Sequence, residues 1–220
     1  TDRGDRKVAI RPEMTPSLSR MVAARRQELG YPARLYSIAN FMRYERPQRG
    51  REREFWQMNA DIFGVDGALP EAEIISLAYE TLKAFGADDK MFTVNINNRK
   101  LINYVMAHFL GLDAVQAQLM IKLFDRKNKI DDDEFKNQAT EIFGPAFSDA
   151  GLRKINKLMA AKSIADLPED IRTSQAVLEI QEVFELLEKS GVKNAIFDIT
   201  LMRGLDYYTG TVFEVYDTDP

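Results

Sequence analysis

The sequence predicts an α+β fold: an antiparallel sheet flanked by helices and interrupted by a helical insertion. Three observations predict it. Residues 34–65 hold two β-rich runs around Pro47 and Gly50, the pattern of a long hairpin. Residues 69–110 alternate helical and strand periods, and strand character returns over 194–216. Between these, from Asp113 to Lys189, strand patterns vanish and short helical segments follow one another. A chain of 220 residues has room for one large domain with such an insertion.

Taken in order, residues 6–10 (RKVAI) read as a short strand leading into Arg11-Pro12-Glu13. Thr15 is the expected N-cap of the next helix, with Pro16 at the first helical position, where its missing N–H costs little. Leu18, Met21, Val22 and Leu29 keep helical spacing, and Gly30 is the expected stop. The hairpin opens with Leu35, Ile38 and Phe41 and closes with Phe55, Trp56, Met58, Ile62 and Phe63. Arg43, Arg46, Arg49, Arg51 and Arg53 crowd its middle, interrupted by Glu45, Glu52 and Glu54. Guanidinium forks match phosphate oxygens bidentately and stay charged at any working pH, so this is a candidate phosphate cradle. A solvated charged turn is the competing reading.

After the hairpin, Leu69 to Phe85 reads as an amphipathic helix with Pro70 near its start and Gly86 at its end. Met91 to Asn97 (MFTVNIN) alternates as a strand, and Lys100 to Leu110 reads as a helix stopped by Gly111. Four helical segments fill the next block, at roughly 114–126, 131–142, 148–160 and 174–189. The charge run Asp125 to Lys136 within it reads as a solvated helix–helix connection. Residues 194–201 (NAIFDITL) read as a strand, Arg203 to Asp206 as a turn, and 211–216 (TVFEVY) as a second strand. The two strands are expected to form an antiparallel pair returning to the first sheet.

Composition narrows the functional classes. The net charge of -4 argues against wholesale nonspecific binding to nucleic acid, while leaving room for a local basic patch. There is no cysteine, which removes disulfides and thiolate metal sites and fits a reducing compartment. The single histidine, His108, sits in a mostly apolar helical pattern and reads as a satisfied or surface residue. No apolar run approaches the roughly twenty residues that cross a bilayer. Neither GxGxxG nor GxxxxGKS occurs, which leaves the arginine hairpin as the strong phosphate candidate.

FMRYERPQRGREREFWQ, residues 41–57, resembles motif 2 of the class II aminoacyl-tRNA synthetases in the form found in the histidyl-tRNA synthetases. Residues 10–20 (IRPEMTPSLSR) resemble that family's R-P-E-x-T segment, and residues 202–214 (MRGLDYYTGTVFE) resemble its R-G-L-D-Y-Y-x-G signature. Three matches in the family's order span nearly the whole chain. The resemblance implies a class II synthetase-like sheet, with residues 1–112 as the first part of a catalytic core that includes the hairpin 34–65. Residues 113–189 would be a helical insertion approaching the tRNA acceptor arm, and residues 190–220 the second part of the core.

The resemblance also implies site residues. Arg43 would contact the α-phosphate and the reacting carboxylate, and Arg203 would bring a second guanidinium to the same phosphate; both would be catalytic. Glu45, two residues along the same strand and facing the same side as Arg43, would contact the adenine end of ATP. Arg51 would reach the terminal phosphates, and Phe55 would stack on adenine. Histidine would be held by Glu13, Met14, Thr15, Gln57, Asp61, Tyr207 and Tyr208, together with Arg43 and Arg203. Asp61 stands where the family usually has glutamate, and Met14 where it usually has glycine. By period-two alternation Gln57, Asn59 and Asp61 share one strand face, a polar cleft wall.

The implied reaction joins L-histidine to tRNA(His) with ATP as substrate and Mg²⁺ carried by the phosphates; no protein metal site is read. A homodimer in the cytoplasm, without membrane attachment, is expected. Motifs 1 and 3 are not found in these residues. The chain is therefore expected to be an excised piece of a longer protein, poor in turnover by itself. The alternative is a noncatalytic relative, the regulatory subunit of ATP phosphoribosyltransferase. Such a subunit has no need of ATP-binding arginines, so Arg43, Arg51 and Arg203 together count against it.

Overall fold

The computed structural model describes residues 1–48, 50–202 and 208–218. The chain divides into two compact units, 1–66 and 67–220. In the first, aromatic and β-branched residues either side of a polar tip pair as a hairpin, as their preference for a pleated surface dictates. Strand β1 (Ala33–Met42) runs antiparallel to β2 (Glu54–Phe63) without a bulge, from Ala33 opposite Phe63 to Met42 opposite Glu54. Period-two alternation then puts Leu35, Ser37, Ala39 and Phe41 on the same face as Phe55, Gln57, Asn59 and Asp61. That face is shielded, whereas Tyr36, Ile38, Trp56 and Met58 on the other are exposed. The tip closes at Gln48 and Arg51, which exchange backbone hydrogen bonds of 3.2 and 2.9 Å. Gly50 there adopts φ +74°, which a side chain would resist.

Three local expectations in this unit are corrected. Residues 6–10 form no strand, and Val8 and Ile10 are exposed. Helix α1 spans Thr15–Ala24, so Thr15 is its first residue and Met14 its N-cap, without a side-chain capping bond. The helix ends at Arg25, five residues before Gly30. Arg25 closes the last turn by donating to the carbonyls of Met21 and Val22, each at 3.2 Å.

The second unit is built on one continuous apolar core. Helix α2 (Ala68–Ala84) leads to β3 (Phe92–Asn98), whose Val94 and Ile96 are fully buried. Helix α3 (Arg99–Tyr104) follows at once and continues through a wider turn over 105–109 before Gly111 ends it at φ +73°. Helices α4 (Ala114–Asp125), α5 (Asp132–Phe143), α6 (Ser148–Ala160), α7 (Glu169–Arg172) and α8 (Gln175–Lys189) fill the block read as helical. The acids of the charge run open α5: Asp131 caps it by accepting from Glu134 N at 2.7 Å, and Asp132, Asp133 and Glu134 occupy its first turn. Negative charge is favoured at that helix end. The four-residue α7 was not anticipated, being too short to show a period.

The sheet of this unit runs β4-β3-β5, with β4 (Ala195–Phe197) parallel and β5 (Thr211–Asp217) antiparallel to β3. This replaces the expected β4–β5 pair: β3 lies between them, and both join its sheet rather than that of the hairpin. Strand β4 is also shorter than 194–201. Asp198 Oδ1 accepts from Thr200 N at 2.9 Å and from its hydroxyl at 2.7 Å, turning the chain out of the ladder.

Candidate functional site

Arg43 leaves β1 at the foot of the tip. Its backbone N–H donates to Arg53 O at 2.8 Å, which extends the hairpin pairing by one bond. Its Nε donates to Pro12 O at 2.9 Å, and its guanidinium lies 4.9 Å from the centre of the Phe55 ring. Phe55 in turn packs 6.1 Å from Phe41, over which Arg11 lies at 5.2 Å. Arg11 is held by its own bonds to the strand end: Nε donates to Asn40 O at 3.2 Å, and its carbonyl accepts from Met42 N at 3.2 Å. The Arg11–Glu13 segment and the hairpin are thereby tied together, though well separated in sequence. Glu13, Met14 and Thr15 are half-buried beside this junction.

Glu45 departs from the expectation. Residues 43–47 are not part of β1, so strand alternation does not set its direction. Its carboxylate faces Arg51 at 3.4 Å, while its carbonyl accepts from Arg53 Nε at 3.2 Å. The two residues assigned to opposite ends of ATP therefore pair with each other. Half-exposed pairs of this kind contribute about 0–1 kcal/mol, so a polyphosphate could draw Arg51 away at little cost. Arg53 lies over Tyr44 at 4.7 Å, a stack the sequence reading missed.

Further down the same face, Gln57, Asn59 and Asp61 are half-buried and alternate with exposed Trp56 and Met58. Ser37 lies directly opposite Asn59, and Leu35 opposite Asp61. Among the described residues, Ser37 Oγ, Asn59 Oδ1 and Asp61 Oδ2 are buried without a hydrogen-bond partner. Such atoms carry a desolvation penalty unless something polar reaches them. Burial also pushes the Asp61 carboxyl above its ordinary value.

In the second unit, Arg203 and Tyr207 lie outside the described residues, and Tyr208 is exposed. The residues flanking them are held by hydrogen bonds. Asn97 and Asn98 at the end of β3 are wholly buried polar residues. Asn97 Nδ2 donates to Leu201 O at 3.2 Å, and Asn98 Nδ2 donates to Thr211 Oγ1 at 3.3 Å. Asn98 Oδ1 also caps α3 by accepting from Lys100 N at 2.8 Å. Thr211 Oγ1 donates to the Glu71 carboxylate as well. The sequence reading passed over both asparagines; two polar residues ending an apolar alternation were the available signal. His108 is exposed, its ring 4.9 Å from Tyr104, a surface residue.

The fold is of the type seen in solved synthetase structures. A Bacillus halodurans structure described as an ATP phosphoribosyltransferase regulatory subunit/histidyl-tRNA synthetase superposes with a TM-score of 0.77, covering 94% of this chain and 54% of its own at 24% identity. Histidyl-tRNA synthetase from a Nostoc species gives 0.76, covering 93% of this chain and 48% of its own, also at 24% identity. The chain belongs to the histidyl-tRNA synthetase family, which it matches over residues 1–219. It is 43% identical to a histidine–tRNA ligase of Leptospira biflexa across its whole length, and 37% identical to one of Haloarcula marismortui across 99% of it. The chain spans about half the length of these relatives, 50% in each case. No helix among the described residues is long and apolar enough to cross a membrane.

Proposed function

We propose that the complete protein is a histidine–tRNA ligase, activating L-histidine with ATP and transferring it to tRNA(His). The observation that carries this is the 2.9 Å bond from Arg43 Nε to Pro12 O. It joins Arg43 to the carbonyl just before Glu13, which supports a shared role with Glu13 and Thr15, the proposed partners of the amino acid's ammonium group. Activation is attack by the histidine carboxylate on the α-phosphorus of ATP, forming an acyl–phosphate bond as pyrophosphate leaves. Both reactants are anions, so fixed positive charge around the phosphorus stabilises the transition state. Arg43, steadied by Pro12 and Phe55, supplies one guanidinium, and Arg203 is proposed to supply a second. Phe55 offers a half-buried ring for adenine, Arg51 binds the terminal phosphates, and Glu45 takes the adenine end once released from Arg51. Tyr207 and Tyr208 are proposed to complete the histidine pocket with Gln57 and Asp61.

Mg²⁺ enters with ATP on its phosphates. Its ligands are proposed to come from those phosphates and water. Helices of 113–189 are proposed as the insertion that meets the acceptor arm; a cleft beside α6 is lined by Arg153, Lys154 and Lys157 and also by Asp166, Glu169 and Asp170. A cytoplasmic homodimer is the proposed working form.

Histidine-dependent ATP–pyrophosphate exchange by the complete protein tests the reading. Arg43→Ala and Arg203→Ala are each expected to lower exchange by about 10²–10³-fold, with histidine affinity changed far less. Selective histidine binding with no exchange would overturn it in favour of the regulatory-subunit reading.

A further inference from the structure

We infer that Ser37 and Asn59 are specificity-determining contacts, forming with Asp61 a strip of oxygen acceptors that receives a ring N–H of the amino-acid substrate. This rests on the histidine-binding reading of Gln57 and Asp61 given above. Those two residues lie on one face of β2 with Asn59 midway between them. At about 3.3 Å per residue they are roughly 13 Å apart along the strand, and Asn59 is about 7 Å from each. A ligand touching both Gln57 and Asp61 must therefore pass over Asn59 and over Ser37, its direct cross-strand partner. Nothing bulky intervenes at the Gln57 step, where the opposite residue is Ala39.

Chemistry selects the group that belongs there. Asn59 Oδ1 and, when ionised, Asp61 Oδ2 accept only, and the Ser37 hydroxyl carries one donor and two acceptor sites. All three atoms are buried and unpartnered among the described residues. The strip therefore holds more acceptors than donors, and a hydrogen-bond donor balances it. A neutral imidazole carries one N–H, which no thiophene or phenyl ring of similar size can replace. A site built on such contacts rejects an analogue without the donor, because its own buried oxygens are then left unpaired. Asp61 is one carbon shorter than the glutamate usual in the family. Asn59 and Ser37 extend the accepting surface where that shorter reach leaves it thin.

The test is binding by the complete protein of L-histidine and of β-(2-thienyl)alanine, a ring of like size without an N–H. Asn59→Ala and the double variant S37A/N59A are expected to weaken histidine about tenfold or more while changing thienylalanine less than about twofold. Their melting temperatures are expected to equal or exceed the parent's, since a buried unpartnered polar atom has been removed. Ser37→Ala alone, the loss of one oxygen, gives the same comparison where Asn59→Ala does not fold. An unchanged preference for histidine overturns the inference, and a lower melting temperature with that unchanged preference assigns the pair to packing. A parent protein that does not prefer histidine at all overturns this together with the site reading beneath it.

Discussion

At the scale of single residues, Asp61 sets the balance between binding and stability. Because burial raises its carboxyl above the ordinary value, the folded protein holds that proton more tightly than the unfolded chain. Above the folded pKa the ionised group costs stability in full. The cost is relieved as pH falls through the folded pKa toward the unfolded value of 3.8. Asp61→Asn is therefore expected to raise the melting temperature at pH 7, with the gain shrinking as pH approaches 4. Thermal melts of both proteins across that range check it; a gain independent of pH would mean that desolvation of the charge is not its source. The same substitution weakens histidine capture under the proposed function. Much of the first unit's candidate site was legible beforehand, because period-two alternation alone puts Gln57, Asn59 and Asp61 on one strand face. The Glu45–Arg51 pair was not, since the chain leaves the strand after Met42 and alternation stops. Ser37 was missed for another reason: a serine in a strand signals nothing until its cross-strand partner is known.

At the scale of elements, α5 and α6 meet at a point that tolerates no extra atom. A Cβ built on Gly151 of α6 would press into the Phe143 ring, itself held in the core at 5% exposure. In a helix, alanine is normally preferred to glycine by about 1 kcal/mol. Overpacking a core commonly costs about 1–3 kcal/mol, and a rigid ring against a helix backbone belongs at the upper end. Gly151→Ala is thus expected to be net destabilising by about 1–2 kcal/mol, or about 3–6 °C in Tm for a chain of this size. Adding Phe143→Leu should recover part of the loss, and a double-mutant cycle measures the coupling; strict additivity would place the strain elsewhere. Helix existence in this block was readable because amphipathic periods are local signals. Sheet order was not. Which strand lies between β4 and β5 depends on contacts across about a hundred residues, and the short β4 ends where Asp198 bonds to Thr200, a choice the apolar run NAIF does not announce.

At the scale of the whole molecule, the two units differ in how much apolar surface they bury. Residues 67–220 share a core running from Ala68 to Val212, with Val94, Ile96, Leu101, Ile155, Ile171, Ile180 and Val183 at or near zero exposure. In residues 1–66 the buried apolar side chains among the described residues are Val22, Ala33, Ala39 and Phe41. Tyr36, Ile38 and Trp56 remain 74%, 62% and 72% exposed. A segment as short as 1–66 buries only about 60% of the surface its unfolded chain exposes, and a two-stranded hairpin is marginal in isolation. Excised residues 67–220 are therefore expected to melt cooperatively, within a few degrees of the parent chain, while excised 1–66 shows no cooperative transition by calorimetry or circular dichroism. A sharp melt of 1–66 alone would show that the hairpin's polar and cation–aromatic contacts suffice, and a non-cooperative 67–220 would show that its core needs the first unit. The expected outcome bears on function. Arg43, Phe55 and Gln57 would then sit on the less stable unit, and any ligand that binds the ordered hairpin must also stabilise it by mass action. Histidine and ATP added to the complete protein should accordingly slow amide exchange across β1 and β2 more than across β3.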